Sequence, residues 1–185
     1  MNRSLENRGK EEFQNGNFPA ALTLFDQAIS LDSQSSTLFT NRGLVNQKMN
    51  RWPDALRDAV SATRLDANLL AGHIIKIESQ IELELFVDVA NSIEALPISL
   101  QKRSEVLELK VTAACAASHA GNAHLADEDF KAAIQHYTIA IQLDDTNHLF
   151  YFKRNTAYQK IKSWENAVKD AEKVCSEVVV SISDL

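Results

Sequence analysis

One interval organises this chain. Gly43 stands at i+34 from Gly9, as do Trp52 from Phe18, Ala55 from Ala21, and Ala62 from Ala28. The pairs Leu31-Asp32 and Leu65-Asp66 keep the same interval. A second set repeats it: Phe130 with Trp164, Ala133 with Ala167, Tyr137 with Ala171, and Ala140 with Val174. Phe86 stands at i+34 from Trp52, which marks a degenerate third unit over about residues 70–102. Phe130 comes at i+44 from Phe86, so the register slips by an insertion near 103–113. A period of this length means supersecondary units that bury their apolar faces only by stacking.

Each unit has the same grammar. A first helix such as LENRGKEEFQNG leads to a polar turn (Asn15-Gly16, Asn50-Arg51, Glu128-Asp129), and a second helix then starts at an aromatic residue. In FPAALTLFDQAISL, residues Phe18, Ala21, Leu22, Phe25, Ala28 and Ile29 fall at helical spacing and make one apolar stripe. Pro19 and Pro53 follow the aromatic in the first helical turn, where a missing N–H costs nothing. Ala21, Ala55, Ala133 and Ala167, with Gly43, are expected where helices cross closely. Each second helix ends in Leu-Asp and a polar link (LDSQSS, LDANLL, LDDTNH). The spacing of Leu100, Leu107, Val111, Ala114 and Ser118 predicts one long helix from about Ile98 to Ala126.

The expected class is an all-α, right-handed α-solenoid of antiparallel helix pairs, with about five repeats. Its expected divisions are a first sub-array at 2–97, a connecting helix at 98–113, a second sub-array at 114–178 and a tail at 179–185. The tail sequence SEVVVSISDL lacks a polar capping helix, which predicts that the natural chain continues or that this end docks onto something. Composition narrows the function classes. A net charge of −6 disfavours nucleic acid and anionic membranes as partners. No apolar run has membrane-spanning length, and MNRSLENRGKEEF lacks the apolar core of a secretory signal. A cytoplasmic protein is expected, with Cys115 and Cys175 as reduced, mostly buried thiols. Phosphate-binding loops, zinc-protease signatures and nucleophile elbows are all absent. His124 lies near Asp127 and Glu128, but a solvated histidine is the expected reading. No catalysis, cofactor or metal is expected in this chain.

The segments NRGKEEFQNGNFPAALTLFDQAISLD, TNRGLVNQKMNRWPDALRDAVSATRLD, AGNAHLADEDFKAAIQHYTIAIQLDD and FKRNTAYQKIKSWENAVKDAEKV resemble the tetratricopeptide repeat family. The last two in succession look like the paired repeats of chaperone-organising adaptors. The resemblance implies a concave groove, lined by first helices, that binds a partner peptide in a co-chaperone-like adaptor. The C-terminus of a heat-shock chaperone is one such partner.

In the chaperone-binding members, the two carboxylates of an acidic C-terminal peptide are gripped by Lys and Asn from one repeat, Asn from the next, and Lys and Arg from a third. The corresponding positions here hold Glu6, Lys10, Asn41, Ala71 and Ile75 in the first array. In the second array they hold Ser118, Asn122 and Lys153, and a third repeat there would lie beyond Leu185. The resemblance thus implies Lys10, Asn41, Asn122 and Lys153 as peptide-binding residues. Leu44, Ile74 and Ile75 are expected as apolar lining of the first groove, and Leu125 and Phe152 of the second, where they could dock a hydrophobic or helical segment; core packing between helices is the competing reading. Two other functions stay open: a structural scaffold subunit of a complex, and the targeting half of an enzyme whose catalytic domain lies elsewhere.

Overall fold

The computed structural model describes the backbone of residues 2–183 and the side chains of residues 4–175. The side chains of the tail expected at 179–185 lie outside the described residues. Among the described residues the chain is all-helical, with eleven helices. It divides into two compact units, Met1–Leu109 and Lys110–Leu185.

The first unit holds three helix pairs: α1 (Asn2–Gln14) with α2 (Phe18–Leu31), α3 (Ser36–Lys48) with α4 (Trp52–Leu65), and α5 (Leu70–Glu82) with α6 (Phe86–Glu94). One further turn, α7 (Ile98–Gln101), precedes α8 (Ser104–Ala126), within which the two units divide. The second unit pairs α8 with α9 (Phe130–Leu143), and α10 (His148–Lys160) with α11 (Trp164–Ser183).

Every first helix ends in the same way. Gly16, Asn50, Glu84, Glu128 and Lys162 all take positive φ, between 54° and 76°. Around each, the backbone closes with the paired bonds of a Schellman cap, as in Gly16 N to Phe13 O and Asn17 N to Glu12 O. The same pair recurs at Glu84 N to Ile81 O with Leu85 N to Gln80 O, and at Lys162 N to Gln159 O with Ser163 N to Tyr158 O. These five positions repeat the spacing of the aromatic residues that follow them, including the longer step before Glu128. The recurrent Asp after each second helix also has a cause. The side chains of Asp32, Asp66 and Asp144 accept from the backbone N–H two residues on, at 3.0–3.1 Å, and so turn the chain toward the next repeat.

The alanines are buried as expected, Ala21, Ala55 and Ala133 completely and Ala167 nearly so. In the first repeats Ala21, Phe25, Ala28, Leu38 and Val45 form a core onto which Phe18, Leu22 and Ile29 pack. Gly43 is less constrained than its interval suggests, since a Cβ there would meet Ile75 at an ordinary 3.4 Å. The tight crossings are at Gly9 and Gly121, where a Cβ would stand 2.9 Å from Phe25 and 2.7 Å from Tyr137.

The helix expected from Ile98 is interrupted. Gln101 folds its side chain back to the Leu96 carbonyl at 2.9 Å, which closes α7 as a single turn after Pro97. The long helix starts only at Ser104. The cysteines also depart from expectation: both thiols are free, but both are exposed.

Candidate functional site

In the first unit, α1 and α3 bring together three of the residues singled out from the sequence. Lys10, Asn41 and Leu44 line a small cavity of about 30 Å³ with Phe13 and Phe25. Such a space holds a water or one ligand oxygen and little more. Lys10 is already engaged, because its Nζ sits 2.6 Å from Glu6 Oε1 one helical turn away. Asn41 Nδ2 is buried and has no hydrogen-bond partner among the described residues. Ala71 is exposed on α5. Ile75, expected in the groove, instead packs with Ala55 and Ala59 at 1% exposure, with Leu44 half-buried against them. Helix α5 lies close enough to α4 for Ile75 to fill that core, so it offers a ligand no surface.

In the second unit, α8 carries Ser118 and Asn122 one turn apart, and α10 carries Lys153. Lys153 Nζ donates to Ser118 Oγ at 3.1 Å. Asn122 Oδ1 accepts from the Tyr137 hydroxyl at 2.9 Å. Burial pushes the Tyr137 phenol above its ordinary value, so it remains a neutral donor. On α10, Leu149, Phe152 and Lys153 fall at i, i+3 and i+4 and share one face. Leu149 and Phe152 are both exposed, Phe152 by 60%. Leu125 is half-buried against the core of Ala133, Tyr137 and Ala157.

Arg42 and Arg154, which the sequence pattern does not single out, each organise a half-buried polar network. Arg42 on α3 reaches both second helices beside it. It makes a bidentate pair with Asp58 (3.0 and 2.6 Å) and a third bond to Asp26 at 2.7 Å. Asn46 Nδ2 donates to the same Asp58 carboxylate at 3.0 Å. Hydrogen bonding to Asp58 raises the Arg42 pKa above its already basic value. Burial pushes Asp58 upward, against the pull of Arg42. A polar cavity of about 160 Å³ opens here, with Arg51, Asp54 and Arg57 on its rim.

The second unit repeats the plan. Arg154 makes a bidentate pair with Asp170 (2.9 and 2.7 Å) and bonds Thr138 at 3.0 Å. Burial works against the Arg154 charge, but Asp170 outweighs it and the net shift is upward. The partners lie at i−16 and i+16 of each arginine, the span from a first helix to the second helices flanking it. That interval was available in the sequence.

His124 stacks on His136, ring centroids 5.0 Å apart. Among the described residues no group of three or more His, Cys, Asp or Glu is placed to hold a metal ion. Among them, too, no helix is long and apolar enough to cross a membrane.

Comparison with known proteins agrees with this architecture. The family model described as TPR repeat matches residues 9–50. The Heat shock protein sti1 homolog of Schizosaccharomyces pombe is 43% identical over 58 residues, 31% of this chain and 10% of that protein. Small glutamine-rich tetratricopeptide repeat-containing protein 2 of Saccharomyces cerevisiae is 32% identical over 108 residues, 54% of this chain and 31% of that protein. The chain therefore spans less than a third of the length of these curated relatives.

Among solved structures, a tetratricopeptide repeat protein from Parabacteroides merdae aligns with a TM-score of 0.58 at 17% identity, over 95% of this chain and 65% of that one. The second TPR domain of the human RPAP3 protein, in complex with HSP70 peptide SGPTIEEVD, aligns with a TM-score of 0.54 at 16% identity, over 59% of this chain and 94% of that one. At these identities the likeness concerns the fold.

Proposed function

We propose that this chain, an all-helical protein of tetratricopeptide-repeat type, is a protein-interaction adaptor that holds the acidic C-terminal segment of a partner, co-chaperone-like and without catalysis. The anchor is the groove face of the second unit. Lys153 supplies a cation and Asn122 an amide, and ionised acceptors on such donors make the stronger class of hydrogen bond. The observation that carries the reading is the shared face of α10, where Lys153 is flanked by exposed Leu149 and Phe152. A cation set between apolar side chains suits a peptide end that alternates carboxylates with aliphatic residues. In the first unit Lys10 is neutralised by Glu6 and the cavity at Asn41 is narrow, so that unit contributes the weaker contact.

The relative named for heat shock supports this partner class. Titration calorimetry with SGPTIEEVD, at low and at physiological salt, tests the proposal. Micromolar affinity that weakens with salt and falls about tenfold in Asn122→Ala and in Lys153→Ala is the expected result. No binding at hundreds of micromolar would remove the peptide-anchor reading and leave a scaffold acting through other faces.

A further inference from the structure

We infer that Tyr137 is a positioning residue of the second groove, whose hydroxyl fixes the Asn122 carboxamide so that its NH2 group faces an anionic ligand. The inference rests on the docking proposal above and adds to it the residue that sets donor polarity.

An asparagine side chain has one accepting and one donating end, and rotation by a half-turn exchanges them. A groove that must bind a carboxylate needs the donating end outward. In this unit the choice is made by the 2.9 Å bond from the Tyr137 hydroxyl to Asn122 Oδ1. The phenol O–H donates in that bond, and so it holds the oxygen end of the amide. Asn122 Nδ2 is left without a partner among the described residues.

The first unit supplies an internal control for what the hydroxyl is for. Shifted back by one fixed offset, Gly121, Asn122 and Tyr137 fall on Gly9, Lys10 and Phe25. Phe25 packs over Gly9 as Tyr137 packs over Gly121, with ideal Cβ distances of 2.9 and 2.7 Å. Both rings are buried, at 1% and 0% exposure. Packing at this position is thus met by a plain phenyl ring. The hydroxyl occurs where the neighbouring residue is an amide in need of orientation, and is absent where that residue is Lys10, whose ammonium donates in every rotamer. Lys153 is steadied in a parallel way, by Ser118 one turn before Asn122. Together the two bonds pre-set both donors before a ligand arrives, and pre-organisation of this kind lowers the ordering cost of binding.

The test is Tyr137→Phe, a change whose packing the first unit already accommodates. Fluorescence anisotropy with labelled SGPTIEEVD is expected to show about a three- to tenfold loss of affinity, the scale of one lost net hydrogen bond. The thermal midpoint should stay within a few degrees of the parent. In an Asn122→Ala background the same change should have no further effect, because the hydroxyl acts only through that amide. The Asn122 side-chain ¹H–¹⁵N resonances should shift in Tyr137→Phe. Equal affinity of parent and Tyr137→Phe would overturn the inference while leaving the docking proposal intact. If the parent chain does not bind the peptide, the docking proposal fails by itself. The orientation is then decided by the Asn122 resonances, and unchanged positions in Tyr137→Phe would overturn it.

Discussion

Replacing Asp58 by alanine removes the acceptor shared by Arg42 and Asn46. Asp58 is 2% exposed and receives three hydrogen bonds of 2.6–3.0 Å, two from Arg42 and one from Asn46. Asn46 is itself buried, and its Oδ1 already lacks a partner among the described residues. Loss of Asp58 therefore strands the amide at both ends, at a cost of about 1–3 kcal/mol for the newly orphaned donor. Arg42 suffers less. Its side chain is 23% exposed and keeps Asp26 at 2.7 Å, so a loss of about 1–2 kcal/mol is appropriate there. Against these stands the relief of a buried carboxylate, which burial already drives toward its neutral form.

The two losses together come to about 2–5 kcal/mol for Asp58→Ala, reduced by that relief. Asp170→Ala should cost about 1–2 kcal/mol, since among the described residues Asp170 accepts from Arg154 and no amide is stranded. Each unit holds one of the chain's two tryptophans, Trp52 and Trp164. Urea unfolding of single-tryptophan variants can therefore follow the first unit through Trp52 and the second through Trp164. A triple replacement, Arg42→Met with Asn46→Leu and Asp58→Leu, removes donors and acceptor together and should recover most of the loss. A shift below about 0.5 kcal/mol for Asp58→Ala, or a larger one for Asp170→Ala, would refute this assignment of the energy to the shared carboxylate.

Two further outcomes follow from local geometry. Gly121→Ala places a methyl 2.7 Å from the Tyr137 ring and should destabilise by about 1–3 kcal/mol. Gly43→Ala, with its nearest contact at 3.4 Å, should be neutral or stabilise by up to about 1 kcal/mol through helix propensity, and urea midpoints of the two variants would separate these cases. At the start of α8 the Glu105 carboxyl is held down to about 2 from its ordinary 4.5, first by its own backbone N–H and then by Arg103 and Ser104. A depressed folded-state value means that the stabilisation is complete above pH 4.5 and is lost as pH falls toward 2. A ¹³C carboxyl titration of Glu105 with a midpoint near 4.5 would contradict that arrangement.

The repeat was legible because its reporters are large. The aromatic at the head of each second helix sits just after the left-handed turn position, so Phe18, Trp52, Phe86, Phe130 and Trp164 kept register even where the turn residue is Glu84, Glu128 or Lys162. A search for glycine or asparagine at those turns would have found only the first two. Depth was not legible. Helical spacing placed Leu44 and Ile75 on groove-side faces, but how closely α5 approaches α4 decides that Ile75 is core. The thiols failed for the same reason, as burial depends on which neighbour covers a face. The arginine lattice was written in the sequence at a fixed interval on either side of Arg42 and Arg154, yet a search tuned to apolar residues passes over polar ones that repeat with equal regularity.

Several packing positions agree between the two units, Ala21 with Ala133, Ala28 with Ala140 and Ala55 with Ala167, whereas Gly16 falls on Glu128 and Gly43 on Asn155. Gly9 with Phe25 and Gly121 with Tyr137 pack alike. The units also differ in their polar side chains: Glu6 and Lys10 close on each other in one, while Ser118, Asn122 and Lys153 stand as donors and supports in the other. A difference among polar side chains on α8 and α10 is of a kind that ligand recognition can use. It favours α8 and α10 as the seat of the peptide anchor proposed for this protein.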